Sequence, residues 1–305
     1  MVRVMVFGAS GFLGGHVYRN LVNQDNVDVV GTCGPESQTA GLVPLDLTLG
    51  DPVRRLLRDV VPDVIIWCVM ARRGDHEIRL SEGGFSTVVH EMGQSARILF
   101  VSTDAVLPGH RGPYGEATPP AESPGTTALD QYINAKIDAE RRLVEGAANY
   151  CIVRPGPIYG TCVDGPWDRR TRRVLGALGR GEPIEQPVNL IRTYSHVEDL
   201  AAGLAELTRL PIEGVLHVGA PIPASHWDFA TAVAQRAGFS PHLVSGFEIS
   251  PGEVWERQIR LDTSLDTSRA SRCLTTRLRS LDEALAEAPI DIPREQTGGK
   301  AWESH

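Results

Sequence analysis

Two side chains in this sequence have the types and spacing to move a proton together. Tyr132 and Lys136 stand four positions apart in Tyr132-Ile133-Asn134-Ala135-Lys136, which puts both on one face of a helix. An ammonium beside a phenol favours the phenolate and draws the tyrosine pKa toward a value useful for proton transfer. Upstream, Ser102-Thr103-Asp104 follows the apolar run 98–101. A hydroxyl there, that of Thr103, can hydrogen-bond a substrate oxygen and stabilise charge developing on it. At the amino end, an apolar run reaching Phe7 leads into Gly8-Ala9-Ser10-Gly11-Phe12-Leu13-Gly14. The first two glycines let the backbone turn and approach a pyrophosphate, whose charge helix amides stabilise; the third lets helix and strand pack closely. A strand before and a helix after make this a dinucleotide turn rather than a plain tight turn. Tyr-x-x-x-Lys alone arises on helices by chance, so hydride chemistry rests on its combination with the glycine turn and the strand end.

The second strand bears on the choice of dinucleotide. An acid about twenty residues after the glycines would bond the adenosine ribose of NAD, but here the strand ends Gly31-Thr32-Cys33-Gly34. The absent carboxylate favours NADP(H) over NAD(H), although no Lys or Arg lies between Arg19 and Arg54 to hold a 2′-phosphate. Asp46 has two readings, an adenine contact or a cap.

The elements that must position these groups follow from apolar patterning. Short apolar runs at 3–7, 27–31, 64–69, 98–102 and 150–153 read as strands, alternating with helical patterns at 12–22, 51–61, 85–94 and 125–145. That alternation predicts an α/β fold, a doubly wound parallel sheet of the Rossmann type with helices on both faces. Residues 1–155 form the expected dinucleotide-binding domain. Residues 156–292 form a smaller, interleaved substrate-binding region in which helix 196–207 and strand 214–218 return to the first domain. Residues 293–305 read as a polar, disordered tail.

Composition narrows the function classes. A net charge of −8 over 305 residues provides no phosphate-neutralising surface for nucleic acid. The five cysteines are scattered and read as reduced thiols, and the nine histidines show no metal-ligand spacing. No apolar run is long enough to span a membrane and no leader pattern opens the chain, so a soluble, cytoplasmic enzyme is expected, with no metal, no membrane partner and a homodimer left open.

Glycine turn, Ser-Thr-Asp strand end and Tyr-x-x-x-Lys, in this order, resemble the extended short-chain dehydrogenase/reductase superfamily. Pro113-Tyr114-Gly115-Glu116, Arg154-Pro155-Gly156-Pro157-Ile158-Tyr159-Gly160, Val197-Glu198-Asp199-Leu200-Ala201 and Leu261-Asp262-Thr263-Ser264 are similar to its dTDP-4-dehydrorhamnose reductase branch, over roughly residues 1 to 286. The resemblance implies that Thr103, Tyr132 and Lys136 are catalytic, with Tyr132 the general acid and Lys136 also on the nicotinamide ribose. It also implies a cofactor site of Gly8, Ser10, Gly11, Phe12, Leu13, Gly14, Asp46, Leu47, Cys68, Val69, Met70, Ser102, Tyr132 and Lys136. Asp104, Arg192 and Tyr194 then fall on the substrate side. Members usually carry Gly after the tyrosine, Ser or Thr before the lysine, and an Asn on the fourth helix; here Ile133, Ala135 and a position near Ser81 differ.

The leading expectation is an NAD(P)H-dependent reductase of a keto group on a nucleotide sugar. An NAD-retaining epimerase or dehydratase is the alternative enzyme, and a cofactor-binding regulatory subunit, as in the beta subunit of methionine adenosyltransferase within this branch, the non-enzymatic one. Arg169-Arg170-Thr171-Arg172-Arg173 reads either as a solvated helix face or as a clamp for a substrate diphosphate.

Overall fold

A computed structural model describes residues 1–287 apart from 38, 71–73 and 126; the tail expected at 293–305 lies outside them. The first half runs β1 (Val2–Phe7), α1 (Phe12–Val22), β2 (Val27–Cys33), β3 (Leu42–Pro44), α2 (Gly50–Val60), β4 (Val64–Trp67), α3 (Gly74–Leu80), α4 (Ser86–Met92), β5 (Arg97–Val101), α5 (Ala128–Gly146) and β6 (Tyr150–Arg154). There follow β7 (Ile158–Tyr159), α6 (Arg169–Gly179), β8 (Ile184–Pro187), β9 (Ile191–Arg192), β10 (Ser195–His196), α7 (Val197–Leu207), β11 (Gly214–His217), β12 (Ala224–Ser225) and α8 (His226–Arg236).

Seven strands form one sheet in the order β11-β6-β5-β4-β1-β2-β3, parallel at every pairing. Side chains alternate across a strand, and here both faces are apolar. Val4, Val6, Ile66, Leu99 and Val101 meet Leu13 and Val17 of α1 and Leu200 and Leu204 of α7. Met5, Phe7, Ile65, Trp67, Ile98 and Phe100 meet Val53 of α2, Val88 of α4 and Leu143 of α5. Burial on both sides is why the strand sequences read as continuous apolar runs. The chain order reverses between β1 and β4, so a crevice opens beyond their carboxyl ends, where doubly wound sheets hold ligands. Beyond β6, Tyr159, Trp167, Leu175, Tyr194, Phe229 and Val233 build a separate core between α6 and α8.

The helix expected at 85–94 starts earlier. It begins at Gly74, passes through a wide π-turn at Ser81–Phe85 and ends at Met92. Gly83 and Gly84 hide this in the sequence because glycine is a poor helix former. The packing requires them: a Cβ would lie 2.3 Å from the Thr48 carbonyl oxygen at Gly83 and 2.4 Å from that of Leu47 at Gly84. The helix therefore lies directly on the backbone after β3. No helix among the described residues is long and apolar enough to cross a membrane.

Candidate active site

The glycine turn is shaped by backbone alone. Gly8 has φ +83°, a left-handed conformation suited to glycine, and the Gly11 amide donates to its carbonyl at 2.9 Å. A Cβ at Gly14 would stand 2.1 Å from that same oxygen, so only glycine lets α1 pack here. No side chain caps α1 at Gly11, leaving the first-turn amides available to an anion. Ser10 is exposed, Leu13 is buried, and Phe12 sits edge-on to His16. A cradle that any Cβ would fill, closed by an uncapped helix start, fits a dinucleotide pyrophosphate.

At the end of β2, buried Thr32 accepts the Gly8 amide at 3.2 Å; it braces the turn where an acid would otherwise meet a ribose. Asp46 Oδ1 accepts the Thr48 amide at 2.9 Å and hydroxyl at 2.7 Å, a local turn that orders the segment carrying Leu47. Cys68 and Val69 lie against Gly8, whose added Cβ would meet the Val69 side chain at 3.3 Å. Burial pushes the Cys68 thiol up to about 12, so it stays neutral. Met70 is exposed.

The lysine joins this turn to the strand end. Lys136 is 2% exposed; its Nζ donates to the carbonyls of Val69 at 3.2 Å and Val101 at 3.3 Å, and lies 3.0 Å from Glu77 Oε1. It stands 5.0 Å from the Phe100 ring centre and 5.8 Å from that of Tyr132. Burial is the largest single influence and works against the ammonium, but Glu77, Tyr132 and Cys68 together outweigh it and the Lys136 pKa is raised. For Tyr132, burial is the largest influence and acts upward; Lys136 pulls down, Glu77 pushes back up and the Thr103 hydroxyl pulls down, leaving the phenol above its ordinary value. The expected downward shift is thus reversed here, because burial acts on the phenol and Glu77 counters the lysine. Glu77, on α3, was missed by sequence reasoning, since no motif marks it and its helix was hidden by the glycines.

Ser102 and Thr103 part company after β5. The Ser102 hydroxyl donates to Glu140, which also takes Arg154 through both oxygens, at 3.0 and 2.5 Å. This is a buried brace between α5 and β6, and removing one partner from such a pair costs about 3–5 kcal/mol. Thr103 Oγ1 accepts the Ala105 amide and donates to Asp104 Oδ1, each at 3.2 Å. Asp104 is buried, and its Oδ2 accepts the Thr263 hydroxyl at 2.7 Å and lies 3.7 Å from Arg192 Nε. Arg192 also donates to the carbonyls of Ile191, Leu261 and Arg260 at 2.6 to 2.9 Å, so its guanidinium ties β9 to the 260–261 segment.

Tyr194 belongs to the core between α6 and α8. It is 1% exposed, stacks on Phe229 at 4.5 Å and 13°, and its buried hydroxyl has no hydrogen-bond partner among the described residues. It borders a cavity of about 510 Å³ with Arg170, Arg173, Arg180, His226 and Phe229. Asp168 caps α6 by accepting the Arg170 and Thr171 amides at 2.8 and 3.1 Å. The Arg170 guanidinium lies 5.8 Å from the Tyr194 ring centre, and its buried Nε has no hydrogen-bond partner among the described residues. Of the basic run, Arg170 and Arg173 line the cavity while Arg169 and Arg172 do not. Burial first, then Arg170 and Arg192, lower the His226 pKa to about 3, so the ring adds no charge there at neutral pH.

Comparisons with known proteins give the family and the fold. The family described as RmlD substrate binding domain matches residues 2–290. The methionine adenosyltransferase 2 subunit beta of Danio rerio is 30% identical over 268 residues, 84% of this chain and 80% of that protein; for the Rattus norvegicus protein of the same name the match spans 52% of this chain and 47% of that one, also at 30% identity. Among solved structures, a hypothetical dTDP-4-dehydrorhamnose reductase from Sulfolobus tokodaii superposes with a TM-score of 0.74 at 23% identity, covering 93% of this chain and 99% of that one. The Bordetella bronchiseptica enzyme WbmH in complex with NAD+ gives 0.75 at 18% identity, covering 94% and 97%. The Bacillus anthracis dTDP-4-dehydrorhamnose reductase in complex with NADP gives 0.69 at 22%, covering 94% and 98%. At these identities the structural likeness concerns the fold.

Proposed function

Because this chain belongs to the RmlD substrate-binding-domain family, an extended short-chain dehydrogenase/reductase type, we propose that it is an NAD(P)H-dependent reductase of a keto group on a nucleotide-activated sugar. One observation carries this reading: the Val69 carbonyl that accepts Lys136 belongs to the segment packed on Gly8. The pyrophosphate cradle and the Tyr132-Lys136 pair thus share one crevice, with Thr103 at its strand end.

The dinucleotide, when bound, supplies the hydride. The amides of the glycine turn take its pyrophosphate, and Lys136, exchanging a backbone carbonyl, takes ribose hydroxyls. Thr103, giving up its bond to Asp104, and Tyr132 orient the substrate oxygen through their hydroxyls, and Tyr132 gives it a proton; burial keeps the tyrosine a phenol at neutral pH, the form a general acid needs. Arg170 and Arg173 take the substrate diphosphate, since guanidinium forks suit phosphate and an unpartnered Nε is available. The absent acid at the end of β2 favours NADP(H) over NAD(H). The same geometry serves an epimerase that retains NAD, and net consumption of NADPH separates the two.

The test is NADPH oxidation followed by absorbance with dTDP- and UDP-linked 4-keto sugars. Stoichiometric oxidation supports the reductase. The Danio rerio relative, at 30% identity over most of both chains, favours a second reading, a cofactor-binding regulatory subunit. Retained NADPH affinity with every keto sugar left unreduced would select that reading instead.

A further inference from the structure

The three hydrogens of the Lys136 ammonium have three acceptors within the protein: Glu77 Oε1 at 3.0 Å, Val69 O at 3.2 Å and Val101 O at 3.3 Å. Two are neutral carbonyls that position the head group, and the third is a carboxylate. Glu77 is itself only 5% exposed. A carboxylate buried beside the lysine of a proton-transfer pair is not required for holding the fold, since a third carbonyl or a hydroxyl would satisfy the same hydrogen.

We propose that Glu77 is the counter-ion of Lys136 and keeps the Tyr132 hydroxyl protonated, biasing the site toward giving a proton to a carbonyl oxygen rather than taking one from an alcohol. Glu77 is thus a positioning residue that acts through Lys136. The bias rests on the reductase reading; the charge relation does not.

The physical reason is charge counting in a site of low dielectric. With Glu77 ionised, the charges of Lys136 and Glu77 offset each other, and ionising the half-buried Tyr132 adds a negative charge beside the pair. With glutamine at 77, the lysine is uncompensated and ionising Tyr132 brings the site to neutrality. Opposite charge within a few ångströms lowers an acid's pKa by roughly one to three units, so the carboxylate removes a pull that the lysine alone would exert. Other groups facing the pair do not replace it. Cys68, beyond β4, is neutral; Asp104, beyond β5, pushes Tyr132 the same way as Glu77 but less and has Arg192 and Thr263 as its own partners; Phe100 and Thr103 carry no charge. Among the described residues, Glu77 is the carboxylate at salt-bridge distance from Lys136.

The experiment needs neither cofactor nor substrate. Tyrosinate absorbance of the full chain is titrated from neutral to alkaline pH in wild type and Glu77→Gln, each also carrying Tyr132→Phe, so that subtraction isolates Tyr132 from the other five tyrosines. In Glu77→Gln, Tyr132 is expected to ionise about one pH unit or more below wild type. Glu77→Asp, which keeps the charge but sets it back by one methylene, should fall between, and it carries the test alone if Glu77→Gln does not fold. An unmoved or higher Tyr132 titration in the variant that folds overturns the proposal. With a turned-over keto sugar, the alkaline limb of NADPH-driven reduction should move down by the same amount. A titration that moves as expected in a protein that reduces nothing supports the counter-ion role and sinks the reductase reading alone.

Discussion

The glycine turn and the arginine-lined cavity, the two places proposed to meet phosphate, are made of different material. The turn offers backbone amides, and its shape depends on the absence of side chains at Gly8, Gly11 and Gly14. The cavity offers the guanidinium groups of Arg170, Arg173 and Arg180 from one helix and its end, facing Tyr194, His226 and Phe229 from distant parts of the chain. Amides held by a helix are preorganised as soon as the helix forms. Guanidinium groups must instead be aimed by the packing of α6 against α8, and one neighbour, Arg192, is already spent on carbonyls. A backbone site should therefore fail all at once, and a side-chain site by degrees.

The largest effect is expected at the turn. Gly11→Asp places a side chain and a negative charge where the pyrophosphate approaches, and should weaken NADPH binding by about 100-fold or more, the scale of losing two hydrogen bonds to a charged group. Fluorescence titration of the folded variant checks this, and near-normal affinity would remove the distinction drawn here. Tyr132→Phe comes next. Turnover should fall by about two orders of magnitude, as when a general acid is lost, with NADPH affinity unchanged, because phenylalanine preserves the ring packing beside Lys136.

At the cavity, Arg170→Ala should raise the KM for a nucleotide sugar by roughly 10-fold, one charge-assisted hydrogen bond's worth, and leave NADPH affinity alone. Loss of NADPH affinity instead would mean that the two phosphate sites are not separate.

The smallest effect concerns acid stability. The folded-state pKa of His226 is lowered to about 3 from 6.5, so between those values the unfolded chain binds the extra proton, and stability falls as pH falls through that window. Replacing His226 with Gln should flatten that decline in a series of melting curves taken from neutral to acid pH. A decline of unchanged slope would show that the cavity is not its source.

These two regions also differ in how plainly the chain announced them. The parallel sheet was legible because strands buried on both faces need continuous apolar runs, and β1, β4, β5 and β6 have them. Helix α1 was expected over the same residues that form it. The α3 to α4 helix was only half visible, because Gly83 and Gly84 serve contacts with Thr48 and Leu47 that no local pattern reports. Tyr132 and Lys136 were legible as a pair through their spacing, but the direction of the tyrosine's pKa was not. That direction depends on burial and on Glu77, which stands 59 positions away from Lys136 in the sequence.

By itself the sequence determined what short-range physics controls: where the backbone must turn without side chains, which runs are apolar on two faces, and which residues a helix brings to one side. Only the tertiary structure decided which charges meet. Glu77 with Lys136, Asp104 with Arg192, Glu140 with Arg154 and the Arg170 cavity all join residues from separate elements, and a charge in a buried site takes its meaning from its neighbours in space. Local pattern carries shape because shape is set by a few consecutive dihedrals; it carries no record of electrostatic partners, which exist only once the chain has folded.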